Sequence, residues 1–219
     1  MAFFIYKMNI INKEIEEYVN SHTQKETKIL EDINRETWSK TINPRMLSGH
    51  LQGRVLSMFS QLISPNSIIE IGTFTGYSAL CLAEGLTNNG KLYTIDNNEE
   101  HLKIAQHNFS KSEYKKNIFI HEGEALEIIP KINENFQLAF IDADKENYCK
   151  YYEMLIQKID INGYIIADNV LWSGKVLDPQ DNETKALDNY NKLTYADHRT
   201  ENYLLPIRDG LMISKKISD

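Results

Sequence analysis

Cysteine is scarce in this chain, and its two copies form no pattern. Cys81 and Cys149 stand alone among 219 residues, which leaves no disulfide framework and no cysteine zinc site; two reduced thiols point to a cytoplasmic protein. A basic excess is missing as well, since 24 lysines and arginines face 31 acids for a net charge of −7. The electrostatic footprint of nucleic-acid binding is therefore lacking, and no nucleic-acid partner is expected. No stretch approaches the ~20 consecutive apolar residues of a membrane span. Met1–Ile11 is apolar but broken by Lys7 and Asn9, and without a basic start or a small-residue cleavage site it does not read as a secretory signal. No internal repeat, low-complexity tract or Gly/Ser linker divides the chain, so residues 1–219 are expected to form one domain.

What is present is alternation. Residues 13–38 carry apolar positions at helical spacing, with Thr27 as a candidate cap, and 48–63 predicts a helix with Leu51, Val55, Phe59 and Leu62 on one face. From Ser67 onward, short β-branched runs alternate with helical ones. Strands are expected at 67–71, 91–95, 117–121, 136–141 and 163–167, with helices at 77–86, 99–109 and 148–159. That order means βαβ units and a parallel sheet. Two last runs, 203–207 and 211–214, flank Arg208-Asp209-Gly210 and predict an antiparallel hairpin. The segment from Lys175 to Thr200 reads as a loop beside the site.

Acids follow the strands. Asp142 and Asp144 come directly after one apolar run, and Asp168 and Asn169 after another. In an open α/β sheet, ligands bind outside the carboxyl ends of the strands. Asp142, Asp168 and Asn169 are thereby brought together as oxygen donors for a hard divalent cation, with Lys145 beside them as a candidate proton acceptor. Trp172 is expected to wall the site. Upstream, Gly72 and Gly76 bracket a strand-to-helix turn, and Asp96 ends the next strand about 20 residues on, the spacing at which an acid meets a ribose. The Gly-x-x-x-Gly spacing suits a nucleoside without a pyrophosphate.

Five blocks then carry a resemblance: 46–53, 70–78, 140–148, 168–174 and 205–210. From about Met46 to Lys215 the chain resembles the small cation-dependent class I O-methyltransferases of the caffeoyl-CoA and catechol type. The resemblance implies an α/β fold, the Rossmann-like methyltransferase sheet of seven mostly parallel strands, with an antiparallel C-terminal hairpin and helices on both faces. Residues 46–219 would form the cofactor-binding core and 1–45 a helical segment at the acceptor site or a dimer contact. S-adenosylmethionine (SAM) is the implied methyl donor, with Ser48, Gly72, Thr73 and Ser78 at its methionine end, Glu70 at its ammonium and Asp96 at its ribose. Ala125 would lie by the adenine, and Asp144 would also face the cofactor. The implied cation ligands are Asp142, Asp168 and Asn169, with Mg²⁺ first and Mn²⁺ or Ca²⁺ as alternatives. Lys145 and Asp142 would serve the reaction, Trp172 and Ser173 would meet a catechol-like aromatic diol, and the enzyme would be a homodimer. A metal-independent SAM methyltransferase, a nucleotide-binding oxidoreductase and a catalytically silent binding protein on the same sheet remain open beside this reading.

Overall fold

The structure, a computed structural model, describes residues 12–219; the signal-peptide reading of Met1–Ile11 lies outside them. Two helices come first, α1 (Lys13–Ser21) and α2 (Lys28–Lys40), then α3 (Gly49–Ile63). The sheet begins with β1 (Ser67–Ile71) and continues through α4 (Tyr77–Ala83), β2 (Lys91–Asp96), α5 (Glu99–Ser110), β3 (Ile118–Glu122) and the short α6 (Ala125–Ile128). Then follow β4 (Phe136–Ile141), α7 (Tyr148–Ile156), β5 (Ile159–Ala167), α8 (Asn182–Ala196), β6 (Thr200–Leu205) and β7 (Leu211–Lys216).

The seven strands lie in the order β3-β2-β1-β4-β5-β7-β6. The first five pair in parallel, and β7 runs antiparallel to both β5 and β6. After β3 the chain crosses back to lay β4 against β1, so the order reverses at the β1–β4 boundary, the place where such sheets bind ligands. Period-2 alternation feeds a core on each face. Ile69, Ile71, Ala139, Ile141 and Ile165 pack toward α7 and α8, whereas Ile68, Leu138, Phe140 and Ile166 pack toward α3, α4 and α5. Each fully buried isoleucine contributes about 1.5–3 kcal/mol relative to an exposed one. Among the described residues no helix is long and apolar enough to cross a membrane.

Several expectations are corrected. Thr27 occupies the N-cap position of α2, but its side chain makes no capping hydrogen bond. The fully buried stripe of α3 is Gln52, Gly53, Leu56, Ser57 and Ser60, whereas the expected Leu51, Val55 and Phe59 are half-buried at its edge and Leu62 is exposed. Close packing on α4 is the reason: a Cβ on Gly53 would stand 2.7 Å from the Tyr77 ring. Strand β5 begins four residues early, because Asn162, at φ 70°, and Gly163 make a bulge within the strand rather than a turn before it. Strand β6 ends at Leu205, since Pro206 has no N–H for the ladder. The segment 175–200 is mostly the helix α8, capped by the Asp181 side chain on the amide of Thr184 at 2.8 Å.

Candidate active site

The carboxyl ends of β1, β2, β4 and β5 open into a cavity of about 900 Å³. Gly72 forms its floor. Its φ of +100° lies in the left-handed region, and a Cβ there would fall 2.0 Å from the carbonyl oxygen of Asp142, so only glycine lets the two strand exits touch. The turn continues through Phe74, also left-handed at φ 47°, whose amide donates to Asp96 Oδ2 at 2.9 Å. Asp96 Oδ1 accepts from the amide of Asn98 at 2.9 Å. The ribose candidate is thus held by two backbone donors at the end of β2.

Glu70 lies beneath this floor, fully buried within β1 rather than on the cavity wall. Thr94 donates its hydroxyl to Oε2 at 2.6 Å, and Oε1 has no partner among the described residues. Burial pushes the carboxyl up to about 8, with Asp142 and Asp96 adding to the rise against the pull of Ser78 and Thr94. Glu70 is thus a buried carboxyl with one oxygen left unpartnered among the described residues.

The acidic end is built by two strands that each run one residue past their sheet. Asp142 extends β4 by donating its amide to Ile71 at 2.8 Å, and Asp168 extends β5 by donating to Ile141 at 2.9 Å. Both acids therefore emerge side by side. Asp168 is almost wholly buried. Burial, then the charge of Asp142, holds its carboxyl above the usual carboxylate range, while the Gln52 side chain, donating to Oδ2 at 2.6 Å, pulls the other way. Asn169 follows in the left-handed region at φ 61°. Lys145, also buried, donates from Nζ to Asp142 Oδ1 at 3.0 Å and to the Tyr148 hydroxyl at 2.6 Å, with the Trp172 ring centred 5.6 Å away. The Tyr148 hydroxyl in turn donates to the Asp168 carbonyl at 3.1 Å.

Ser48, Gly72, Thr73, Ser78, Asp96, Ala125, Asp142, Asp144, Lys145, Asp168, Asn169 and Trp172 all line this one cavity. Ser173 does not; its backbone amide is turned to the Asp209 carboxylate, and its φ of 54° belongs to the tight turn after Trp172. No residue between Ser173 and Ile207 reaches the wall. The segment expected to shape the pocket instead buttresses it from behind, where Asn191 donates to the Val170 carbonyl at 2.8 Å.

Sequence reasoning passed over four supporting residues. Gln52 hid as a polar residue on the buried face of α3. Arg208 and Asp209 read as turn residues, yet Leu171 donates to the Asp209 carbonyl at 2.8 Å and Val170 to that of Gly210 at 3.2 Å. Tyr151 read as packing, yet it lines the cavity and donates to Asp144.

Among the described residues no three carboxylate, imidazole or thiolate groups converge. The donor set at the acidic end is two carboxylates and a carboxamide, all oxygen, which fits a hard cation rather than zinc.

The chain is similar to known proteins along nearly its whole described length. The O-methyltransferase family model matches residues 20–217. Caffeoyl-CoA O-methyltransferase 1 of Eucalyptus globulus is 35% identical over 180 residues, covering 76% of this chain and 73% of that protein. An O-methyltransferase from Bacillus cereus, solved in complex with SAH, superposes with a TM-score of 0.85 at 27% identity, covering 93% of this chain and 97% of that one. The O-methyltransferase TomG from Streptomyces achromogenes, solved with SAM, shares the fold with a TM-score of 0.87 at 23% identity, over 94% of this chain and 96% of its own. The chain belongs to the O-methyltransferase family.

Proposed function

We propose that this O-methyltransferase moves a methyl group from SAM to one hydroxyl of a vicinal aromatic diol, with a divalent cation held by Asp142, Asp168 and Asn169. One observation carries the reading: the paired carboxylates and Lys145 share a single cavity with the glycine turn and Asp96. The SAH and SAM in the Bacillus and Streptomyces structures support the donor.

At the cofactor end, Ser48, Gly72, Thr73 and Ser78 surround the methionine portion. Glu70 offers its open carboxylate oxygen to the ammonium from below. Asp96, oriented by the amides of Phe74 and Asn98, receives the ribose hydroxyls, and Ala125 borders the adenine. Asp144, braced by Tyr151 and by Asn147 at 2.5 Å, faces the same space. At the acceptor end, a cation bound to the two carboxylates and the carboxamide would supply positive charge that stabilises the acceptor as an oxyanion. Lys145 Nζ, held at the site by Asp142 and Tyr148, would accept the hydroxyl proton as its neutral amine, becoming the ammonium. Trp172 walls the acceptor ring, so that the oxygen is aligned with the methyl group; alignment and fixed dipoles supply most of the acceleration.

The test compares labelled methyl transfer to a vicinal aromatic diol and to the same ring bearing a single hydroxyl. Transfer to the diol alone is expected, since two adjacent oxygens are needed to meet the acidic end. Equal rates on both would contradict the diol reading.

A further inference from the structure

We infer that the acceptor carries an anionic group, a carboxylate on its ring or on a short side chain, and that Arg208 receives it. This rests on the reading of the acidic end as the acceptor site. The chain has five arginines. Arg35, Arg54 and Arg199 are ion-paired, whereas Arg45 and Arg208 have no carboxylate partner among the described residues, and both line the cavity. Arg208 meets only neutral oxygens, the Leu47 carbonyl and Gln52 Oε1, each at 3.3 Å and each through Nη1. Nε and Nη2 make no hydrogen bond among the described residues. A guanidinium presents five donors in a planar fork that matches a carboxylate, so most of this fork is available.

Its position is fixed rather than incidental. Arg208 sits at φ 48° in the hairpin turn whose next two carbonyls hold the loop of Asn169 and Trp172. One carboxamide spans the gap to the acidic end, because Gln52 accepts from Arg208 and donates to Asp168 at 2.6 Å. The guanidinium is therefore about one aromatic ring away from where the diol would bind. Asp142, Asp144 and Asp168 on that wall repel an anion, and of the two arginines without a carboxylate partner it is Arg208 that Gln52 ties to the acidic end. The phosphates of a CoA thioester lie many bonds from its ring, beyond a group this close to Asp168, so the anion belongs to the acceptor's own ring system.

The experiment measures binding of 3,4-dihydroxybenzoate and of its methyl ester to SAH-loaded protein with Mg²⁺, by calorimetry. The acid is expected to bind about tenfold or more tightly than the ester, as a charge-assisted pair allows. Arg208→Met should collapse that ratio toward one, and Arg208→Lys should keep part of it. The ratio is the readout because a disturbance of Asp168 through Gln52 weakens both ligands alike. A ratio near one in the natural protein, a ratio that survives Arg208→Met, or no binding of either compound overturns the inference. Methyl transfer followed in parallel separates the two claims: acid that binds through Arg208 but is never methylated sinks the proposed reaction and leaves the anion site standing.

Discussion

Single side chains carry the chemistry, and Glu70 shows how far one can be displaced from ordinary behaviour. Its carboxyl is raised from 4.5 to about 8 by burial. An acid whose folded value lies above its unfolded one binds more protons when folded, so stability falls as pH rises between those two values and is level outside them. The cofactor-free protein should therefore lose stability from about pH 4.5 to 8, and Glu70→Gln should lose less of it, since the raised carboxyl of Asp168 still contributes. A cofactor ammonium favours the ionised form, so SAH binding should release a proton and tighten from about pH 6 to 7.5. Calorimetry in two buffers of different ionisation heat checks this. The same slope in Glu70→Gln would show that another group titrates. Asp96, Asp142, Asp168 and Asn169 were legible because acids and amides directly after apolar runs are conspicuous, whereas Glu70, inside its run, was placed only by the resemblance. Gln52 and Arg208 were not, since their meaning comes from partners 116 and 156 residues away in sequence.

At the scale of elements, strands were read more surely than helices. A five-residue run such as Ser67–Ile71 is buried throughout, so its apolar character needs no partner to explain it. Helix faces depend on what they pack against. Small residues on α3 meet α4 closely, and a Cβ on Gly85 would stand 2.1 Å from the Ser60 carbonyl carbon, so the expected apolar stripe, of which Val55 and Phe59 still pack on the core, marks only the edge of the buried face. Helix α8 escaped notice because its buried positions, Thr184, Leu187, Tyr190 and Thr194, include two threonines. The turn between β1 and α4 is the most sensitive element. Gly72→Ala adds left-handed strain of about 1–3 kcal/mol and a collision with Asp142. A thermal melt should show a lowered midpoint, and SAH affinity should fall with it. An alanine variant that kept both would mean that β1 and β4 separate more easily than their contact implies.

The whole molecule places two functions at one switch point. The turn after β1 and the exit of β2 make the cofactor end, and the exits of β4 and β5, clamped by the β6–β7 turn, make the acidic end. The parallel order and the terminal hairpin were legible from the alternation of runs, but the joining of both ends in one cavity required the sheet. That joining is what supports the proposed cation-dependent methyl transfer, and the chelator experiment tests it most directly. Transfer from labelled SAM to a vicinal diol is measured with Mg²⁺, with EDTA, and after Mg²⁺ is restored, with SAH binding followed alongside. EDTA should lower the rate about a hundredfold or more while SAH still binds; restored Mg²⁺ should recover the natural protein but not Asp168→Ala. A rate unchanged by EDTA, with Asp168→Ala equally active, would contradict the cation site and leave the paired carboxylates without their proposed role.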